Sequence, residues 1–179
     1  MKLKKKVKVI LVIAILLIVA GLGFLAYESI KPKAVKTATV ENEIKDYGYT
    51  LKSTRNARYK EAFQELKDIL SKKNVDEEAY LKQISKMFIM DFYTLDDKLA
   101  NTDVGGIDFV HTNAKTNFLE KSEDTVYKYV ENDIYGNRNQ KLPEVTDVTV
   151  ENIENIEYTI GTDFTDDNAY QVEVSIKYK

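Results

Sequence analysis

The chain of 179 residues has no cysteine and no tryptophan, and His111 is its single histidine. Without cysteine it forms no disulfide, thiolate metal site, cysteine nucleophile or cysteine-linked lipid anchor. The sequence also contains no HExxH zinc motif, no glycine-rich phosphate loop and no GxSxG or SxxK nucleophile motif. With one histidine, most hydrolase and redox sites cannot be assembled, so we expect a protein that uses no cofactor and binds rather than catalyses.

Arginine is scarce as well: three of the 26 cationic residues are arginine, so 26 − 3 = 23 are lysine. This bias is typical of AT-rich coding and indicates a low-GC bacterium. Five lysines precede residue 9, so residues 28–179 carry 26 − 5 = 21 cations against 29 anions and a net charge of −8. An acidic segment without a basic stripe argues against nucleic acid as a partner.

The N-terminus has the pattern of a single-pass membrane anchor. Residues 1–8 contain five lysines, and the 19 residues 9–27 follow without a charge. At about 1.5 Å per residue, a helix of that length nearly spans the roughly 30 Å hydrocarbon core of a bilayer. Because lysine-rich flanks stay in the cytoplasm, we expect residues 1–8 to be cytoplasmic, the lipid bilayer to surround residues 9–27, and the rest to be extracellular.

A cleaved signal peptide is the alternative interpretation, because Val19-Ala20-Gly21 resembles a cleavage site. The apolar run continues six residues beyond that point, which favours an uncleaved anchor. Both alternatives predict the same location for the remaining chain, outside the cytoplasm.

The outer chain divides into a spacer, residues 28–43, and an α+β domain, residues 44–179. In this domain, apolar residues repeat at intervals of three and four in three stretches, which predicts helices over residues 57–73, 74–95 and 111–136. The third of these is expected to bury Phe118, Leu119, Val126, Tyr129 and Val130.

Alternation with a period of two predicts the strands. Residues 104–110 form a short candidate strand in which Gly105-Gly106 marks a bend, a bulge or a close backbone approach. Two short strands are predicted between residues 145 and 160, with a kink near Asn152. Strict alternation over residues 169–179 predicts a half-buried antiparallel strand. Because this strand runs to the final residue, we expect its edge to pair with a continuation of the chain, an envelope protein or a second copy.

The order of elements resembles the cone-shaped fold named after nuclear transport factor two: helix, helix, short strand with glycines, helix, antiparallel strands. The resemblance covers residues 46–179 and implies a three-helix layer packed on one curved antiparallel sheet around a pocket. A single anchor followed by such a domain is similar to assembly proteins of type IV secretion and conjugation systems and to Gram-positive envelope proteins. Cystatin-like α+β domains are the competing topology.

Three groups of residues are candidates for a site. A small-ligand sensor or carrier is expected to line its pocket with Met87, Phe88, Phe109, His111 and Phe118. An acidic turn offers the hard oxygen ligands that calcium prefers, but not at the spacing of a calcium loop, and it comprises Asp163, Asp166 and Asp167. An envelope hydrolase would require Asp96 or Asp97 to converge with His111 on one cleft. We favour a non-catalytic, membrane-anchored binding or scaffold domain of the cell envelope.

Overall fold

The computed structural model describes residues 17–18, 20–29, 34–160 and 164–179. The chain divides into two compact units, Met1–Ala34 and Val35–Lys179. In the first unit, the described residues 17–18 and 20–29 are helical, and the label α1 refers to them. Among the described residues, no helix has the length and apolar character that crossing a membrane requires. Residues 1–8, and residues 9–16 and 19 of the predicted span 9–27, lie outside the described residues, so the predicted anchor gains no support here.

The second unit combines two antiparallel hairpins with three helices, which confirms the α+β class. Its elements, in chain order, are β1 (Val40–Ile44), β2 (Tyr49–Lys52), α2 (Ala57–Leu70), α3 (Glu77–Tyr93), α4 (Lys115–Asp124), β3 (Val145–Ile160) and β4 (Phe164–Tyr178). In the described part of the chain, β1 pairs with β2 and β3 pairs with β4, as two separate two-stranded sheets. The predicted single curved sheet is therefore not formed, since the segment between α4 and β3 is irregular and supplies no linking strand.

Helix α2 packs the predicted apolar face into the first of two core clusters. Its N-cap is Asn56, whose side chain accepts a hydrogen bond from the Tyr59 amide at 2.9 Å. The cluster joins this face to the first hairpin and to the middle of α3, through Tyr49, Leu51, Tyr59, Ala62, Phe63, Leu66 and Met87. Tyr49 and Leu51 are on the same side of β2, and this side of the strand packs against α2.

Helix α3 is the central element, because it contacts both α2 and the second hairpin. Asp76 caps it by accepting a hydrogen bond from the Ala79 amide at 3.1 Å, and Glu77 and Glu78 occupy the first turn, where the helix dipole favours anions. The C-terminal end of α3 enters the second core cluster, which consists of Phe92, Leu95, Val104, Tyr127 and Val130.

The predicted long helix over residues 111–136 is wrong. Helix α4 ends at Asp124, and a turn at Thr125 carries the backbone away from helical geometry. The cause is tertiary: Tyr127 is completely buried, and its hydroxyl accepts a hydrogen bond from the Gly105 amide at 3.0 Å and donates one to the Phe92 carbonyl at 2.7 Å. A continuing helix would place Val126 and Tyr129 inward, whereas Tyr129 is 77% exposed.

The predicted strand over residues 104–110 is also wrong, since the segment forms a turn and a short 3-10 helix, Ile107–Phe109. The glycine pair explains this path. A Cβ atom on Gly105 would lie 2.1 Å from the Asp91 carbonyl oxygen, so only glycine permits this close approach to the end of α3. Gly106 has φ +75°, in the left-handed region that favours glycine.

The second hairpin lies along α3. Near its base, the Val145 amide donates to Thr94 Oγ1 at 3.1 Å, and further out Tyr170 Oη is 3.4 Å from Glu77 Oε1. β3 is one strand rather than the two predicted, and a register irregularity between Val150 and Asn152 stands where the kink was predicted.

The inward face of the hairpin pairs apolar residues across the two strands. Val148 is opposite Ile176, Val150 is opposite Val174, and Ile153 is opposite Val172. The alternate residues of β4 are exposed, as the period of two predicts: Gln171, Glu173, Ser175 and Lys177. The hairpin is therefore half-buried, with one face on α3 and one in solvent.

Candidate binding groove

An apolar groove runs between α3, the segment that follows Gly106, and strand β4. Its volume is about 540 Å³. It is lined by Ile84, Ser85, Phe88, Ile89, Phe109, Val110, Phe118, Val172 and Val174. A single polar side chain, Ser85, interrupts this apolar surface, so the groove is suited to apolar side chains.

Three elements place the aromatic walls. Phe88 and Ile84 project from one side of α3 because they are four residues apart. Phe118 projects from α4, and its ring centroid is 6.1 Å from that of Phe88 and 5.3 Å from that of Phe92. Phe109 is at the end of the 3-10 helix, with its ring 5.1 Å from that of Tyr49. The walls are thus fixed by packing against both cores.

Strand β4 borders the groove with an unpaired edge. Both strand residues that line the groove, Val172 and Val174, belong to β4. β4 pairs with β3 along one edge, and within residues 34–160 and 164–179 no third strand pairs with the other. A free strand edge beside an apolar groove offers both backbone hydrogen bonds and side-chain pockets to an added strand.

A buried ionic cluster holds the segment that carries the groove wall. Asp91 on α3 accepts from Arg55 Nε at 2.6 Å, from Lys98 Nζ at 3.3 Å and from the Gly106 amide at 2.7 Å. Gly106 in turn lies against the Phe88 ring, because a Cβ atom there would be 2.9 Å from ring carbons. The cluster therefore sets the position of the backbone that leads to Phe109.

Two further carboxylates complete the ionic cluster. Asp103 lies 2.8 Å from Lys52 Nζ and 3.3 Å from the Arg55 guanidinium, and it also accepts from the Leu99 amide at 3.2 Å. Asp97 lies 2.5 Å from Lys98 Nζ. In the described residues, no buried side-chain nitrogen or oxygen lacks a hydrogen-bond partner. The buried polar atoms of the cluster are thus satisfied, and a satisfied buried network holds the surrounding backbone rigidly.

The carboxylates respond differently to this environment. Burial raises the pKa of Asp103, but the charges of Arg55 and Lys52 outweigh it and lower the pKa to about 2. Burial likewise opposes ionisation of Asp91, and the charges of Lys98 and Arg55 lower its pKa. For Asp97 burial prevails over the neighbouring cations, so its pKa is raised.

The predicted pocket residues divide between the groove and other environments. Phe88, Phe109 and Phe118 line the groove. Met87 is completely buried in the first core cluster. His111 is exposed and accepts a hydrogen bond from the Asn113 amide at 3.3 Å, as a cap of the short 3-10 turn before α4.

The structure describes two of the three residues of the predicted acidic turn. Asp163 lies outside the described residues. Asp166 is in β4, where it accepts a hydrogen bond from the Asn168 amide at 2.9 Å, and Asp167 is exposed in the same strand. No group of three potential metal ligands occurs among the residues that the structure describes.

The residues of the hydrolase hypothesis have separate partners. Asp97 is committed to Lys98 and to the Asn56 amide. Asp96 is exposed, and its carbonyl accepts from Arg138 at 2.7 Å. Neither aspartate lines the apolar groove, and nor does His111.

The ionic cluster was missed by the sequence analysis, although a signal was present. Asp91 is four residues after Met87 and three after Phe88, so it falls on the apolar face of α3. A carboxylate at such a position requires a buried cation. Arg55 and Lys98 meet this requirement, but their distance from Asp91 is set by the fold.

Comparison of the chain with protein-family models, curated proteins and solved structures found no match. The function is therefore inferred from the geometry of the groove and the free edge of β4.

Proposed function

We propose that this chain is a membrane-anchored binding module of the bacterial cell envelope, without catalytic activity, that accepts an extended segment of another protein beside β4. The observation that carries the proposal is the apolar groove next to an unpaired strand edge. A segment added to β4 would extend the sheet, and its alternate side chains would enter the groove between Phe88, Phe109 and Phe118.

The same geometry explains what the added strand would stabilise. Isolated two-stranded hairpins are marginally stable in water, and a third strand or a packed helix is needed for independent stability. Here α3 supports β3 and part of β4, and the groove marks the area that remains unsupported. An added strand would cover this area and would satisfy the outer backbone groups of β4.

The anchor is the second part of the proposal and is supported by sequence alone. Residues 1–8 are lysine-rich and residues 9–27 are uncharged, which favours insertion with the N-terminus in the cytoplasm. An alkaline phosphatase fusion after Lys179 tests this orientation, because the enzyme is active only outside the cytoplasm. Active fusion protein in the membrane fraction is expected, and an inactive fusion would refute the orientation. Release of a shorter protein would instead show cleavage.

The groove is tested with an uncharged probe, a fluorescent peptide about nine residues long in which valine alternates with threonine. We expect it to bind the full chain in nonionic detergent micelles and to slow amide hydrogen exchange at residues 172–176, because added-strand carbonyls would accept from β4 amides. Ser85→Trp fills the groove and is expected to abolish both effects. Ser71→Trp, at the exposed end of α2, is the control and should change neither.

A small-ligand carrier is the alternative that the groove also permits. In that case an apolar fluorescent dye would bind the wild-type chain and would not bind Ser85→Trp. The peptide would then give residues 172–176 no protection from hydrogen exchange. An envelope hydrolase is disfavoured by the separate placement of Asp96, Asp97 and His111.

A further inference from the structure

The second hairpin is strongly anionic. From residue 142 to residue 176 the sequence contains nine aspartates and glutamates and no lysine, arginine or histidine, although the whole chain has 26 cations. The nine are Glu144, Asp147, Glu151, Glu154, Glu157, Asp163, Asp166, Asp167 and Glu173. Such a run of one sign along both strands creates a local negative potential that the near-neutral total charge of the chain conceals.

The structure places much of this charge on exposed positions. Glu151, Glu154 and Glu157 on β3 are exposed, and so is Glu173 on β4. The hairpin has a cation at the base of β4, Lys177, directly after the anionic run. Its ammonium group is already paired with Asp147 at 3.0 Å. The outer part of the hairpin therefore presents anions to solvent.

A second groove, which is lined largely by acidic side chains, lies near the N-terminal end of α3. It has a volume of about 630 Å³ and lies between the first turns of the helix and the hairpin. Its charged lining residues are Asp76, Glu77, Glu78, Lys82 and Glu151. Lys82 pairs with Glu78, so the groove has three further carboxylates. Along α3, this acidic groove ends at Lys82 and the apolar groove begins at Ile84.

We propose that the segment bound beside β4 is cationic: a strand of a partner protein in which lysine or arginine alternates with apolar residues. This inference rests on the proposed function and adds the chemistry of the partner. Apolar side chains of one face would enter the groove, and cations of the other would lie beside Glu173 on β4 and two strand spacings, roughly 10 Å, from the exposed glutamates of β3. Cross-strand pairs of opposite charge stabilise a sheet, and like charges destabilise it.

The charge also argues against a second copy of this chain as the occupant. Two hairpins brought edge to edge would each contribute the same anionic run, with no lysine or arginine between residues 142 and 176 to compensate it. Electrostatic complementarity instead favours a basic partner and accelerates its association at low ionic strength.

The test compares three fluorescent peptides, each about nine residues long, in which valine alternates with lysine, threonine or glutamate. Binding to the full chain in nonionic detergent micelles is measured by anisotropy at about 50 mM and about 500 mM salt. We expect the lysine peptide to bind at least about tenfold more tightly than the glutamate peptide at low salt, and this difference to shrink at high salt.

Two sets of variants identify where the charge acts. The triple variant E151Q/E154Q/E157Q is expected to weaken the lysine peptide by about threefold or more and to leave the threonine peptide unchanged. The matched control E61Q/E120Q/E131Q removes the same number of exposed carboxylates from other surfaces. It should have a clearly smaller effect, because those residues belong to α2, α4 and the loop after α4 rather than to the hairpin.

The outcomes separate this inference from the proposed function. Equal binding of the lysine and threonine peptides, both abolished by Ser85→Trp, would overturn the cationic partner and leave the groove proposal intact. Binding of the lysine peptide that Ser85→Trp does not change would overturn the groove proposal. Failure of every peptide to bind would overturn both. A dimer in sedimentation velocity that Ser85→Trp dissociates would show a second copy to be the occupant.

Discussion

The substitution Asp103→Asn tests the ionic cluster by its dependence on pH. In the folded protein, Arg55 and Lys52 hold the pKa of Asp103 at about 2, compared with 3.8 for an unperturbed aspartate. A depressed folded-state pKa stabilises the protein at pH values above 3.8, and this contribution disappears as the pH falls to about 2. The difference of nearly two pH units corresponds to about 2 kcal/mol of stability at neutral pH.

We therefore expect Asp103→Asn to lower the free energy of unfolding by about 2 kcal/mol at pH 7, and by progressively less between pH 4 and pH 2. Urea unfolding of the full chain in nonionic detergent, followed by circular dichroism, gives the free energy of unfolding of wild type and Asp103→Asn at each pH. Asp147→Asn is the matched control, because it removes a carboxylate that is 3.0 Å from exposed Lys177, and it should leave stability nearly unchanged.

Two results would refute the reasoning. The first is a loss of stability that is as large near pH 2 as at pH 7, since the missing interaction would then not depend on the ionised carboxylate. The second is an unchanged free energy of unfolding at pH 7. If wild type unfolds before pH 2 is reached, the acid midpoint serves as the readout, and it should lie at higher pH in Asp103→Asn than in Asp147→Asn.

Two further substitutions test the segment behind the groove. Gly105→Ala places a Cβ atom 2.1 Å from the Asp91 carbonyl oxygen and should cost about 3 kcal/mol or more in urea unfolding. Gly48→Ala, with φ +72° but open space, should cost only about 1–2 kcal/mol, and similar losses would contradict the close-approach argument. Lys98→Met removes the ion-pair partner of Asp97 and leaves Asp91 paired with Arg55 alone, and it should cost about 3–5 kcal/mol at pH 7. Because protonation relieves a buried carboxylate that has lost its cation, as Asp97 has, this loss should shrink as the pH falls, and a loss independent of pH would contradict the reasoning.

The local sequence pattern was sufficient to predict the elements that have one apolar, buried face and one polar, exposed face. Helix α2 buries Tyr59, Phe63 and Leu66 at the predicted spacing, and β4 alternates between an inward and an exposed face as predicted. Asp76 caps α3, and Glu77 and Glu78 follow in its first turn, an arrangement that local sequence favours. These features follow from the period of the chain, because helix and strand periodicity fix which side chains share a face.

Where the local signal competed with distant contacts, the prediction failed. The pattern after Asp124 favours a continuing helix, but burial of Tyr127 and its hydrogen bonds to Gly105 and Phe92 end the helix early. The pairing of Asp91 with Arg55 and Lys98 likewise depends on parts of the chain that only folding brings together.

The sequence by itself determined the α+β class, the helical face of α2, the alternation of β4 and the anionic character of residues 142–176, because each depends on neighbours in the chain. Only the tertiary structure decided that Phe88, Phe109 and Phe118 share a groove, and that this groove adjoins the free edge of β4. Those residues come from three elements, and their meeting depends on the path that Gly105, Gly106 and the buried ionic cluster impose on the backbone.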